Sequence, residues 1–309
     1  MVDRHYKNLD STDAEIDWSG VPNAKIEKLL NKEGASLAIQ KKPLESVDPQ
    51  KFSQNTPYGE IPRIAEDGTT PFQAFRRPFS PDGNKIDYPK VSIVMVDYCQ
   101  SKEIAQLALN KLSADVSLAL NPYCANIDEA AQKARSLGHE LWLGIPMETE
   151  GYPIDDYGPL SLLINSSVDA NTSRVQKAMA KTIGYVGLLT YFNPVFTRSE
   201  RDFTPVLDMI DQTGLGLFET NPTPPEYIER FAFGTKTPYA YADVIIDSQL
   251  EEFEIQSRLI ELERIASDKG QATGVIRAVP LSIEMINKWT KTLAEKQILL
   301  APLSATAGY

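Results

Sequence analysis

From Lys90 onward the chain repeats one pattern. A short apolar run is followed by an amphipathic stretch, and the pair recurs seven or eight times before the chain ends. The apolar runs are Val91–Asp97, Val116–Asn121, His139–Ile145, Val186–Phe192, Leu215–Glu219, Ala242–Ile246, Ala272–Ile276 and Ile298–Pro302. They are too short for helices and apolar at successive rather than alternate positions, which predicts strands buried on both faces. The stretches between them, Lys102–Leu112, Asp128–Leu137, Asn171–Ile183, Arg201–Gln212, Pro225–Phe231, Leu250–Ser267 and Ile283–Glu295, predict helices, several closed by a glycine such as Gly138, Gly214 or Gly270. Parallel strands joined by helices form right-handed βαβ units. So many units predict an α/β fold, a distorted (β/α) barrel of seven to eight parallel strands. The alternative is an open doubly wound sheet, but Asp97-Tyr98-Cys99-Gln100 after the first strand has no glycine and offers no phosphate loop.

Residues 1–89 are of another kind, polar and punctuated by proline. They read as an N-terminal arm or linker, with a helical turn or two at Ile26–Leu30, contact to the barrel through Ile61–Ile64 and Phe72–Phe79, and a mobile start of about 15 residues. The barrel takes residues 90–309. With 42 acidic against 31 basic residues the formal charge is -11, a field that repels nucleic-acid phosphates. No stretch reaches 18 consecutive apolar residues, and nothing apolar follows MVDRHYKNLD, so neither a membrane span nor a signal peptide is legible. That leaves a cytosolic protein, or one whose export segment or N-terminal anchor has been removed.

A barrel carries its chemistry in the loops that follow its strands. The most informative of these runs from Pro146 to Pro159, where Glu148, Glu150, Asp155 and Asp156 stand among turn-forming glycines and prolines. The other strand ends add Asp97-Tyr98-Cys99, Asn121, Tyr123, Cys124, Tyr191, Phe192, Asn193, Glu219, Asn221, Asp247, Arg277 and Ser304. Asp97 and Glu219 are the candidate catalytic carboxylates; Tyr98, Tyr123, Glu148, Tyr191, Asn193, Asn221 and Arg277 are candidate ligand-binding residues. Acids at strand ends are also commonly helix caps or solvated charges. The chain has two histidines, and His139 opens its strand, at the end opposite the loops. A mouth without imidazole is a poor transition-metal site, so no metal or cofactor is expected, although an all-carboxylate Mg or Ca site and paired-carboxylate glycoside chemistry stay open. Cys99 and Cys124 end neighbouring strands and are either a disulfide of an oxidising compartment or two separate thiols.

At these strand ends the chain resembles the divergent polysaccharide deacetylases (YibQ-like), relatives of the NodB-type carbohydrate esterases, over roughly Ile61 to Ala305. The likeness is carried by Ile61-Pro62-Arg63-Ile64, Arg77-Pro78-Phe79, Gly138-His139-Glu140, Ile145-Pro146-Met147-Glu148, Asp156 with Gly158-Pro159 and Leu162-Leu163. Gly184-Tyr185-Val186-Gly187, Phe196-Thr197 and Ala301-Pro302-Leu303-Ser304 complete it. The resemblance implies a distorted barrel in a periplasmic or cell-envelope protein. It also implies a metal held by an Asp-Asp pair and two histidines, but here Tyr98 stands for the second Asp, Gly144 and Tyr191 for the histidines, and Ile276-Arg277-Ala278 for a late Gly-His-Pro segment. Only Asp97, with Glu219 at a further acidic position, keeps the matching chemistry. The expectation is a non-catalytic envelope protein that binds an envelope glycan or protein partner. Alternatives are a hydrolase working through carboxylates without a His-bound metal, and a structural subunit of an envelope complex.

Overall fold

The computed structural model describes residues 42–191 and 195–308. The helical turn expected at Ile26–Leu30, the start of the arm, Phe192 and Asn193 lie outside the described residues.

The arm comes first. Helix α1 (Pro49–Phe52) is capped by Asp48, a hairpin pairs β1 (Ser53–Thr56) with β2 (Gly59–Pro62), and helix α2 (Pro71–Phe75) starts from a capping box of Thr70 and Gln73. The barrel elements then alternate: β3 (Lys90–Tyr98), α3 (Lys102–Lys111), β4 (Ser117–Leu120), α4 (Ile127–Ser136), β5 (Leu141–Ile145), α5 (Val168–Met179), β6 (Gly187–Thr190), α6 (Glu200–Thr213), β7 (Gly216–Glu219) and α7 (Glu226–Thr235). They continue through β8 (Tyr239–Tyr241), β9 (Val244–Ile245), α8 (Glu252–Lys269), β10 (Gln271–Arg277), α9 (Pro280–Thr290) and β11 (Leu299–Leu300).

The strand order is β8-β7-β6-β5-β4-β3-β10-β9, every pairing along it is parallel, and β11 adds to the start of β3. The first and last strands of that path, β8 and β9, are separated in sequence only by Ala242 and Asp243. Ala242 N bonds Glu219 O on one side and Asp243 N bonds Thr273 O on the other, so one short segment changes partners and joins both edges of the curled sheet. The sheet is therefore a distorted barrel and not the open doubly wound sheet. The single strand expected at Ala242–Ile246 is split because its two halves serve different neighbours.

Alternation along each strand sends one set of side chains inward and the other toward the helices. Val94, Val96, Ala119, Trp142, Leu189, Phe218 and Val275 form the inner cluster. Met95, Leu118, Leu120, Leu143, Leu188 and Leu217 meet the helices. Trp142 is fully buried at the barrel centre, edge-on to Phe72 of the arm at 6.4 Å and to Phe218 at 6.3 Å. It is core and not a platform for ligands. The ring fits only because β6 begins with Gly187, where a Cβ would stand 2.2 Å from Trp142 Cζ3.

The arm closes the end of the barrel where the strands begin. Phe72 N bonds Gly214 O, and Phe72 and Phe75 join the inner cluster. The buried Arg135 guanidinium donates to the carbonyls of Glu45, Phe75 and Gly184; Arg77 pairs with Asp115 at 2.7 Å and donates to Gly138 O. Desolvation lowers the Arg135 pKa to about 10, partly offset by Glu140. Glu140, fully buried, accepts from Arg77 N, Ser117 Oγ, Trp142 Nε1, Ser304 N and Ser304 Oγ. Ser304 therefore belongs to this closed end and not to the mouth, because β11 pairs with the first residues of β3 and the chain turns in beneath the barrel. His139 lies at the same end, fully buried, with Nδ1 3.0 Å from Val116 O. No helix among the described residues is long and apolar enough to cross a membrane.

Candidate functional site

The site begins with an irregularity. The register of β3 against β4 shifts between Met95 and Tyr98, and Asp97 and Cys99 have positive φ, 59° and 78°. Val96 points inward, so regular alternation would send Asp97 toward the helices. The bulge reverses this: Asp97 turns into the mouth and Tyr98 goes outward. Tyr98 is 1% exposed, in the cluster that faces the helices, and its hydroxyl bonds Ala130 O. It does not contribute to the mouth.

Asp97 Oδ1 accepts from Asn121 Nδ2 at 2.9 Å, and its carboxylate also accepts from the Tyr191 hydroxyl. Burial raises its pKa; the two hydrogen bonds and the nearby Arg277 charge work against that rise. Asn121, the inward residue after Ala119 on β4, is nearly fully buried. Cys99 and Cys124, two and three residues further along the two loops, are joined by a disulfide.

Tyr191 follows β6 and lies over Gly144 of β5. A Cβ at Gly144 would stand 2.8 Å from the Tyr191 hydroxyl and 2.9 Å from its ring, so the missing side chain of one residue is the space taken by the other. Tyr157, from the acid-rich loop, stacks on Tyr191 with ring centroids 5.3 Å apart. Its pKa is pushed up to about 12 by burial, then by the charges of Asp97 and Asp155. Tyr123 is half-buried beneath the loop; its hydroxyl accepts from Leu160 N at 2.9 Å, and it is a support of the loop more than an open surface. Glu148 has the same duty, its carboxylate accepting from Ile164 N at 2.7 Å and its carbonyl from Val195 N.

On the other side of the mouth, β10 ends at Arg277, whose side chain is 33% exposed. Its backbone N and guanidinium both bond the fully buried Asp247, which Ser282 Oγ also binds at 2.6 Å. Asp247 thereby aims the guanidinium beside Asp97. Asn221 is occupied locally, its Oδ1 accepting from Thr223 N and Oγ1.

Glu219 is not in the mouth. Phe218 points inward, so the next residue faces the helices, and its carboxyl is fully buried against Thr190 Oγ1 at 3.1 Å. Burial lifts its pKa to about 7, with the Thr190 and Thr197 hydroxyls acting in the opposite sense. Glu219 Oε1 has no hydrogen-bond partner among the described residues.

The structure thus brings together Asp97, Asn121, Tyr191, Tyr157 and Arg277. It removes Tyr98 and Glu219 from the mouth, and gives Tyr123, Glu148 and Asn221 local structural partners. The two candidate catalytic carboxylates lie on opposite faces of the sheet and cannot act as a pair. Sequence reasoning missed Tyr157, although Gly158-Pro159 directly after it marks a turn able to fold it back.

These residues do not fit the divalent metal of the family that the sequence resembles. Asp97 is satisfied by an amide and a phenol that donate to it and faces the Arg277 guanidinium, whose positive charge opposes a second cation at that carboxylate. Gly144 supplies no ligand atom. Among the described residues no three His, Cys, Asp or Glu side chains converge.

The described strands form a distorted parallel barrel with an acid, an amide and tyrosines gathered at its mouth. Residues 93–307 match the divergent polysaccharide deacetylase family, and the chain belongs to it. The chain is similar to the crystal structure of an uncharacterized protein, ATU2773, from Agrobacterium tumefaciens C58, with 30% identity, a TM-score of 0.76, and coverage of 81% of this chain and 100% of that one. A weaker likeness is to the Bdellovibrio bacteriovorus peptidoglycan deacetylase Bd3279, with 10% identity, a TM-score of 0.40, and coverage of 93% of this chain and 71% of that one. No curated protein matches the chain.

Proposed function

We propose that this member of the divergent polysaccharide deacetylase family is a non-catalytic protein of the cell envelope, and that its mouth binds an envelope glycan. The observation that carries the reading is the arrangement at Gly144 and Tyr191. A phenol fills the space above a residue without a side chain, and its hydroxyl satisfies the one surviving acid, Asp97. A Lewis-acid mechanism needs a cation at that acid to make hydroxide at neutral pH. Asp97 is instead tied into a hydrogen-bonded set with Asn121 and Tyr191 beside Arg277.

The same set suits recognition of sugar hydroxyls. Carboxylate, amide, phenol and guanidinium offer both donors and acceptors, and the stacked Tyr157 and Tyr191 add aromatic surface. The Cys99–Cys124 disulfide supports an oxidising compartment such as the periplasm. The family supports a polysaccharide over a protein as the ligand.

The test is saturation-transfer NMR with chitin-type and peptidoglycan-derived oligosaccharides of defined length. The wild type is expected to give saturable signals with one class, and Tyr157→Ala or Asp97→Asn to lose them while keeping the wild-type melting temperature. Equal signals from wild type and both variants would place binding elsewhere and refute the reading.

A further inference from the structure

The mouth depends on a backbone that does not hold itself. Asp97 and Cys99 both adopt positive φ, a region side chains other than glycine enter at a cost unless their surroundings impose it. The backbone hydrogen bonds at this turn are long: Gln100 N to Asp97 O within it, and Asn121 N to Tyr98 O across to the end of β4, both at 3.4 Å. A relaxed, extended Asp97 would point its carboxyl to the helix side of the sheet, where Tyr98 now lies.

Two links close a small ring around this turn. At one end Asn121 Nδ2 bonds Asp97 Oδ1; at the other Cys99 is bonded to Cys124. The cysteines follow Asp97 and Asn121 by two and three residues, so the disulfide fixes the exits of β3 and β4 directly beyond the pair that must meet.

We propose that Cys99 and Cys124 are positioning residues for Asp97: their disulfide holds the β3 bulge against the end of β4, so that the mouth is assembled only in the oxidised protein. The proposal rests on the reading of the mouth as the binding surface. Both cysteines are half-buried, within reach of a small dithiol. A thiolate of the dithiol attacks one sulfur and the Cys99–Cys124 bond breaks. The second thiol then resolves the mixed disulfide. Two electrons pass to the cysteines, each of which takes up a proton, and the reductant leaves as its cyclic disulfide. Oxidation runs the reverse course with a disulfide oxidant. The protein would then acquire a ligand-competent mouth only where such an oxidant is present.

The readout is the titration of the Asp97 carboxyl carbon by NMR, in oxidised protein, in protein reduced with a dithiol, and in Cys99→Ser/Cys124→Ser. The groups facing Asp97 are Asn121, Tyr191, Tyr157 and Arg277, with Asp155 beyond Tyr157. On reduction Asp97 is expected to lose the Asn121 and Tyr191 hydrogen bonds and the nearby Arg277 charge, all of which hold its pKa down, so its titration should move to higher pH and the Asn121 side-chain amide signals should move. Glu219, on the other face of the sheet, should titrate as before. Reoxidation should restore the first curve, which keeps the test valid if the double variant fails to fold. An Asp97 titration and Asn121 amide signals unchanged by reduction would overturn the proposal. The glycan titration of the oxidised protein is a separate arm: its failure removes the mouth reading, while the Asp97 titration still judges the clamp.

Discussion

Replacing Glu219 by glutamine should stabilise this protein above neutral pH and leave it nearly unchanged in acid. The carboxyl is fully buried, and its pKa rises from 4.5 to about 7. Below pH 4.5 it is neutral whether the chain is folded or unfolded, and its ionisation adds nothing to the balance. Between these values the unfolded chain releases the proton and the folded one keeps it, so stability falls as pH rises. Above about 7 the penalty is complete. A shift of that size, at 1.36 kcal/mol per pKa unit, corresponds to about 3 kcal/mol. For a chain of this length that is about 5 °C in melting temperature. Glutamine keeps an acceptor for Thr190 Oγ1 and never ionises. Thermal unfolding of wild type and Glu219→Gln from pH 4 to 9 should give curves that coincide near pH 4, part between pH 4.5 and about 7, and run parallel above 8. A constant difference across the range would refute the argument, since it would mean that Glu219 has the same pKa in both states.

Other consequences can be checked the same way. Gly144→Ala places a methyl 2.8 Å from the Tyr191 hydroxyl and should cost about 1–3 kcal/mol in denaturant unfolding, a cost that should largely vanish when the same change is made in a Tyr191→Ala background. If Gly144→Ala costs as much in the Tyr191→Ala background as in wild type, the two residues are not competing for one space. Trp142→Ala removes the centre of the inner cluster and should cost about 3–5 kcal/mol by the same measurement. Arg135→Met takes away the donors to Glu45, Phe75 and Gly184; limited proteolysis should then cut the arm between residues 42 and 75 much faster than in wild type, with the barrel surviving as the product.

The barrel was legible because double-sided burial leaves uninterrupted apolar runs, and the helices between them carry their own stop signals at Gly214 and Gly270. What sequence could not give was direction. Asp97 and Glu219 look alike as acids at strand ends, yet one lies in the mouth and the other behind the sheet. Alternation from Phe218 places Glu219; a bulge that no residue type announces reverses the placement of Asp97 and Tyr98. The arm was harder still. The aromatic contact of Phe72 and Phe75 was legible, but the rest of its hold comes from Arg77, Arg135 and Glu140, charged residues whose partners are mostly distant carbonyls, amides and hydroxyls, and periodicity says nothing of these. Gly144 and Tyr191, which the resemblance reads singly as departures, become one arrangement once their distance is known.

The central claim is that Asp97 lies in a recognition site and takes no part in hydrolysis. The most direct test incubates the oxidised protein with an N-acetylated glycan oligomer, with and without added zinc, and follows acetate release and ligand broadening in the same NMR sample. The account predicts broadening that Asp97→Asn abolishes, with acetate no higher than in a protein-free control. Acetate released in proportion to protein, and stopped by a chelator, would contradict it.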